Sequence, residues 1–404
     1  MTRPARKMKP SGIPWIGDVP ADWESRRFRR AGRFVKGKLP SNDNSNAEGL
    51  PIIGASEMNG KPPRTFTTDT ACPQCEKDDV LILWDGANAG FVAQGLAGTL
   101  SSTVVKYRCE IPETCPRYVF YLLKYFETYF RNKVNGTTIP HMNPAFIDDC
   151  ALLLPPAETQ KKIAEFLDEK CAEIDALIAI EEKMIAELKS YKQSVITEAV
   201  TRGVPAAANA SRPLKDSGIP WLGSVPAHWE ILPLKRLCKM KAGENLTSLE
   251  IEKEGEFPVY GGNGLRGFYK KYNCSGEYVL VGRQGALAGN IHKVCGCFWA
   301  TDHALITRCS RLTSIPYISY LLEAMNLNQY ALQTAAQPGL SVGLVQSLLT
   351  TVPPLSEQQK IVIFLDSENQ KVDSMISFKQ EKIATLQNYK KSIIFEYVTG
   401  KEFI

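Results

Sequence analysis

The sequence predicts an α+β protein made twice on one plan, two globular parts of mixed α/β structure each followed by a long helix of coiled-coil type. Three observations predict it: an internal tandem repeat, two extended helical runs, and short apolar segments set between turn residues in the stretches before those runs. At ~100–200 residues per domain, 404 residues make two to four domains. Apolar residues at 44% and charged residues at 23% exclude a disordered or collagen-like chain.

The repeat is read directly. SGIPWIGDVPADWE at 11–24 and SGIPWLGSVPAHWE at 217–230 share 11 of 14 positions. Pro155 through Thr201 aligns with Pro353 through Thr399 at an offset of 198, with 20 of 47 positions identical. Weaker collinear matches lie between: Gly86 and Gly90 face Gly285 and Gly289, and Ser102 faces Thr301. Any function must therefore explain why two halves are needed.

In chain order, the first ~150 residues mix apolar runs such as Val80–Trp84 and Ser102–Tyr107 with Gly, Pro and Asn, as strands do. Tyr118–Phe130 is an aromatic-rich amphipathic stretch, predicted as a helix on the sheet. From Glu158 to Thr201 neither proline nor glycine occurs, and Pro155-Pro156 precedes the run as a start signal. Its seam of Leu167, Cys171, Ile174, Ile178, Ile185, Leu188 and Val195 steps by threes and fours, interrupted by Glu181 and Lys192. A rod of that length spans about 65 Å at ~1.5 Å per residue. Gly203–Arg212 is rich in small residues and reads as a linker. The second half repeats the pattern: strands such as Tyr278–Gly282, a helix over Pro316–Tyr330, and a seam of Leu365, Val372, Ile376, Ile383, Leu386 and Ile393.

Charge follows this division. The net is +4 for 1–150, −3 for 151–206, +4 for 207–352 and zero for 353–404, so both globular parts are basic and neither rod is. Basic heads on neutral rods suit a polyanion such as DNA. Arg26, Arg27, Arg29, Arg30, Arg33, Lys36 and Lys38 cluster in the first head, and Arg266, Lys270 and Lys271 surround Phe268, Tyr269 and Tyr272 in the second. Eleven cysteines without framework spacing point to free thiols and a cytoplasmic location. The basic N-terminus has no apolar core behind it, and no run approaches the ~20 residues of a membrane helix.

Catalytic patterns are missing. His141, His228, His292 and His303 stand in no metal or triad spacing, and no Walker loop occurs. Gly282-Arg-Gln-Gly285 with Gly289 has the wrong spacing for a dinucleotide fingerprint and reads as a strand-to-turn crossing. Asn143-Pro-Ala-Phe146 lacks the second proline of an adenine methyltransferase loop. Cys72 and Cys75 have zinc-knuckle spacing, with Cys109 and Cys115 as further ligands, but the second half carries no matching pair, so no metal is assigned.

Taken together, SGIPWIGDVPADWE, PVYGGNGLRG (258–267), YVLVGRQGALAGNIH (278–292), FWATDHAL (298–305), TTIPHMN (137–143) and PPAETQKKIAEFLDEK (155–170) resemble the specificity subunit of type I restriction-modification enzymes. The resemblance spans essentially the whole chain. It implies target-recognition domains at 1–154 and 207–352, and conserved helical spacers at 155–206 and 353–404 that form an antiparallel coiled coil. Each domain would read one half of a bipartite asymmetric site in double-stranded DNA. The spacers would fix the gap and dock two modification (methyltransferase) subunits, with restriction (nuclease-translocase) subunits joining them. No cofactor is expected on this chain; S-adenosylmethionine, ATP and Mg belong to the partners. A non-enzymatic coiled-coil scaffold binding protein or RNA is the rival reading.

Base readers belong on glycine-flanked loops held by strands. In the second head these are Asn263, Arg266, Arg283, Gln284 and His303. In the first head the matching places offer Ser56, Asn59, Asn88, Ser101 and Thr138, with Lys36, Lys38 and Arg64 as phosphate contacts. Trp84 and Asp85 stand where Arg283 and Gln284 stand in the second copy, a departure that fits different base preferences.

Overall fold

The computed structural model describes residues 7–13, 15–132, 141–142, 150–205, 213–285, 288–331 and 339–403. The chain forms two compact units, Met1–Glu181 with Glu381–Ile404, and Glu182–Gln380. Each holds one globular head with half of each long helix.

In the first unit, Gly32–Lys36, Val104–Cys109, Val80–Leu83 and Val92–Ala93 make a four-stranded antiparallel sheet in that order. Val80–Leu83 is apolar at every position because both its faces are covered: Val80 and Ile82 enter the main core, Leu81 and Leu83 a second one. That second core lies with a smaller sheet of Phe66–Thr67, Leu50–Ile53, Gly98–Leu100 and Gln74–Cys75. The helix Pro116–Asn132 buries Tyr118, Leu122, Phe126 and Phe130, four residues apart on one stripe, in the main core. Glu24–Arg27 pairs with Ala151–Leu154, which leads into the first long helix, Ala157–Arg202.

The second unit has a six-stranded sheet, ordered Cys238–Ala242, Ala304–Cys309, Cys274–Gly282, Ile291–Ala300, Phe257–Gly261 and Gly264–Tyr269. The helix predicted over Pro316–Tyr330 is shorter, Ile315–Ala324, followed by a 3₁₀ turn over Leu327–Tyr330. Asn326 between them is left-handed (φ 45°), a conformation asparagine tolerates better than most residues, and it ends the helix. The turn then passes so close to Gly289 that a Cβ there would lie 2.5 Å from the Asn328 amide. Gly289, at the crossing read from its sequence, thus lies against a 3₁₀ turn.

The second long helix is Leu355–Val398, and the two pack antiparallel. In the first unit Leu167, Cys171 and Ile174 join Ile393, Ile394 and Val398 in the head's core, with Ile178 and Leu386 packed against it. Lys390 Nζ meets Asp175 at 2.7 Å, and Lys382 Nζ meets Glu181 at 2.6 Å. In the second unit Ile196, Ala199 and Val200 join Ile361 and Leu365, and Lys192 meets Asp373 at 2.8 Å. Asp175 and Asp373, like Lys192 and Lys390, are 198 apart, so each unit makes the same ion pair from opposite helices. These two exposed pairs contribute about 0–1 kcal/mol each. They set register, while the apolar seam supplies the stability. Ile185, Leu188, Ile376 and Ile383 are partly buried on that seam and Val372 is fully so.

The SGIPW repeat has an architectural part. Its hairpins, Met8–Pro10 with Asp18–Pro20 and Leu214–Asp216 with Ser224–Pro226, lead to the buried Trp23 and Trp229. Trp23 lies against Gly400 at the end of the second long helix, and Trp229 Nε1 donates to Glu357 Oε2 at 3.0 Å.

Candidate nucleic-acid interface

Both heads build their loops on one backbone frame. In the first, the amides of Gly90 and Ala89 bond to Leu83 and Gly86, Trp84 bonds to Thr103, and Met142 bonds to Trp84. In the second, Gly289 and Ala288 bond to Gly282 and Gly285, Arg283 bonds to His303, and Leu340 bonds to Arg283. Isolated bridges Asp85–His141 and Gln284–Gly339 complete the correspondence. The glycines are needed: Gly86, Gly90, Gly285 and Gly289 all have φ between 86° and 105°, where a side chain is strained.

On this shared frame the side chains differ. In the first head Lys36 Nζ donates to Asp85 Oδ2 at 2.9 Å, and His141 Nδ1 lies 2.7 Å from Asp85 Oδ1. Burial alone would raise the Asp85 pKa, but the hydrogen bonds from His141 and Lys36 outweigh it and hold the carboxyl below its usual range. Gly37 packs on the backbone of Ser101, so Lys36 and Lys38 flank that residue; Ser101 shares a 2.9 Å hydroxyl contact with Thr103. Gly54, at the start of the helical turn carrying Ser56, also lies against Ser101. Asn59 ends that turn and donates to Ala55 at 2.6 Å, while Asn88 is exposed between Gly86 and Gly90. Arg64 is exposed on the loop before Phe66–Thr67, and Thr138 lies outside the described residues, as does Asn143-Pro-Ala-Phe146.

The second head gathers its candidates more tightly. Gly262 sits against the carbonyls of His303 and Gln284, which joins the three loops that carry Asn263, Gln284 and His303. Arg266 packs over Gly261 and donates to Ser248 Oγ at 3.3 Å; Asn290 reaches Asn263 at 3.4 Å. Asn263, Arg266 and Gln284 are exposed; Arg283 and His303 are half-buried. Sequence reasoning missed His292, whose ring packs on Gly264 and whose pKa burial lowers, and Thr301, a buried hydroxyl at the same junction. It also missed the His141–Asp85 pairing, which joins positions 56 apart and leaves no local signal.

Among the described residues no cluster of three or more His, Cys, Asp or Glu is placed to hold a metal ion. Cys72 and Cys75 are buried free thiols, and burial pushes the Cys75 thiol up to about 11. No described helix is long and apolar enough to cross a membrane.

The two heads thus present loops of different chemistry on one duplicated backbone frame. A family model described as the type I restriction modification DNA specificity domain matches twice, over residues 20–190 and 226–400, and the chain belongs to that family. The EcoprrI specificity subunit of Escherichia coli is 36% identical over 172 residues, 42% of this chain and 43% of that protein, so the shared stretch is under half of that relative's length. The MjaVIII specificity subunit of Methanocaldococcus jannaschii is 26% identical over 415 residues, covering 95% of this chain and 93% of that one. A solved structure described as the "structural basis underlying complex assembly and conformational transition of the type I R-M system" has the same fold, with a TM-score of 0.67 at 17% identity over 95% of this chain and 99% of that one.

Proposed function

We propose that the chain is the DNA sequence-recognition subunit of a type I restriction-modification complex, each head reading one half of a split, asymmetric site. The single observation that carries this is the duplicated loop frame with unlike occupants: Trp84, Asp85 and His141 in one head, Arg283, Gln284 and Gly339 in the other. A common frame presents loops to the same groove geometry, while different donors and acceptors select different bases. Catalysis belongs to partner subunits.

Two modification subunits dock on the long helices in this reading. Leu177, Ile180 and Tyr191 on the first helix are exposed, and so are Met375, Phe378 and Tyr389 at the positions 198 further on. Apolar side chains left bare at equivalent places on both helices support one kind of partner bound twice.

The test is to co-express the chain with its modification subunit and map methylated adenines genome-wide. A split motif with a constant gap is expected. Methylation at a continuous motif, or none, would overturn the reading.

A further inference from the structure

The second head carries a cationic groove lined by none of the loop residues Asn263, Arg266, Arg283, Gln284 and His303. Lys235, Arg236, Lys239, Arg308 and Arg311 line a cavity of about 420 Å³ beside Ser310. All five cations are exposed, and none forms a salt bridge with a described residue. Strand register sets Lys239 directly opposite Arg308, a like-charge pairing that is unfavourable unless an anion lies between.

The first head shows what neutralises the same positions. There Arg33 lies opposite Arg108, but Arg33 is held by Glu110 at 2.7 Å, and Arg108 is held by Asp79 and by Glu76. In the second head Ser310, Tyr278 and Ser275 stand at the places of Glu110, Asp79 and Glu76. Glu277, on the neighbouring strand, is engaged by Lys293 at 3.4 Å. The acids are gone and the cations remain.

We propose that this groove is a phosphate-backbone site, gripping duplex DNA beyond the bases its own head reads; the proposal rests on the reading above. The lining offers guanidinium groups, which bind phosphate bidentately, and no aromatic anchor of the kind a protein partner would bury. The groove lies at the far end of the paired strands from the His303 loop. Five residues from His303 to Arg308, at ~3.3 Å each, is about 17 Å, or about five base steps of ~3.4 Å. With this strand laid along the duplex, the grip falls about half a helical turn from the bases beside His303. It contributes affinity without sequence preference, and only on the second half-site.

The test uses the chain assembled with its modification subunit and carrying Arg236→Gln, Lys239→Gln and Arg308→Gln together. Duplex affinity is measured across a salt series, and the protected flank and methylated motif are mapped. The wild-type motif is expected, with protection shortened on the second half-site flank. The slope of log affinity against log salt should fall by about 0.9 per lost contact, about 2–3 in all. Arg33→Gln in the first head, where the charge is already paired, should leave the slope near wild type. Unchanged slope and affinity, or an altered motif, would overturn the proposal. So would loss of assembly in the absence of DNA, which would assign the groove to an acidic face of the partner. A wild-type complex that methylates no split sequence removes the underlying reading instead.

Discussion

Gln284→Ala offers a clean test of base reading, because the side chain is exposed and makes no hydrogen bond to a described residue. Its backbone bridge to Gly339 survives truncation, and no core contact is lost, so folding stability should move by less than about 0.5 kcal/mol. Any loss of DNA affinity then belongs to the DNA contact. An amide reading adenine through a bidentate pair gives about 1–3 kcal/mol of discrimination, roughly 5- to 150-fold. The assay is methyl transfer by the assembled complex to duplexes carrying each single-base variant of the mapped site. Discrimination should collapse at one position of the second half-site, with every position of the first half-site as in wild type. Equal weakening on every duplex would mark a phosphate contact or a folding defect, and a wild-type profile would show that Gln284 faces no base. Either result refutes the reasoning.

The remaining predictions concern stability. Gly400→Ala should cost about 1–3 kcal/mol by denaturant unfolding, because φ is +68° and its Cβ would lie 2.4 Å from Pro20 Cδ; Gly12→Ala, at φ +80° in open space, should cost less, about 1 kcal/mol. Leu167→Ala and Leu365→Ala, each fully buried, should cost about 2–5 kcal/mol in urea, and a smaller loss would show that the helices are not part of the head cores. Burial lowers the His292 pKa below its ordinary 6.5, so the native head holds fewer protons there than the unfolded chain. That contribution is complete above this range and is lost as pH falls through it; His292→Leu should flatten the fall in Tm on acidification, and an identical pH profile would refute it.

Much of the architecture is legible in the residues alone because it rests on local signals. A run without proline or glycine, a start signal at Pro155-Pro156 and a seam in threes and fours determine each long helix, and identity between copies determines the repeat. The glycine-flanked loops are legible too, since left-handed backbone restricts residue choice wherever it occurs. Loop chemistry is less so: Gln284 could be picked beside its glycine, whereas the Lys36–Asp85–His141 cluster could not. Only the tertiary structure decided that each head folds with half of both helices, and that acids cancel one cationic strand pair but not its counterpart. The physical reason is that charge pairing depends on strand register between residues some 70 apart, as with Lys239 and Arg308, and register is settled by how the whole core packs rather than by either strand's own sequence.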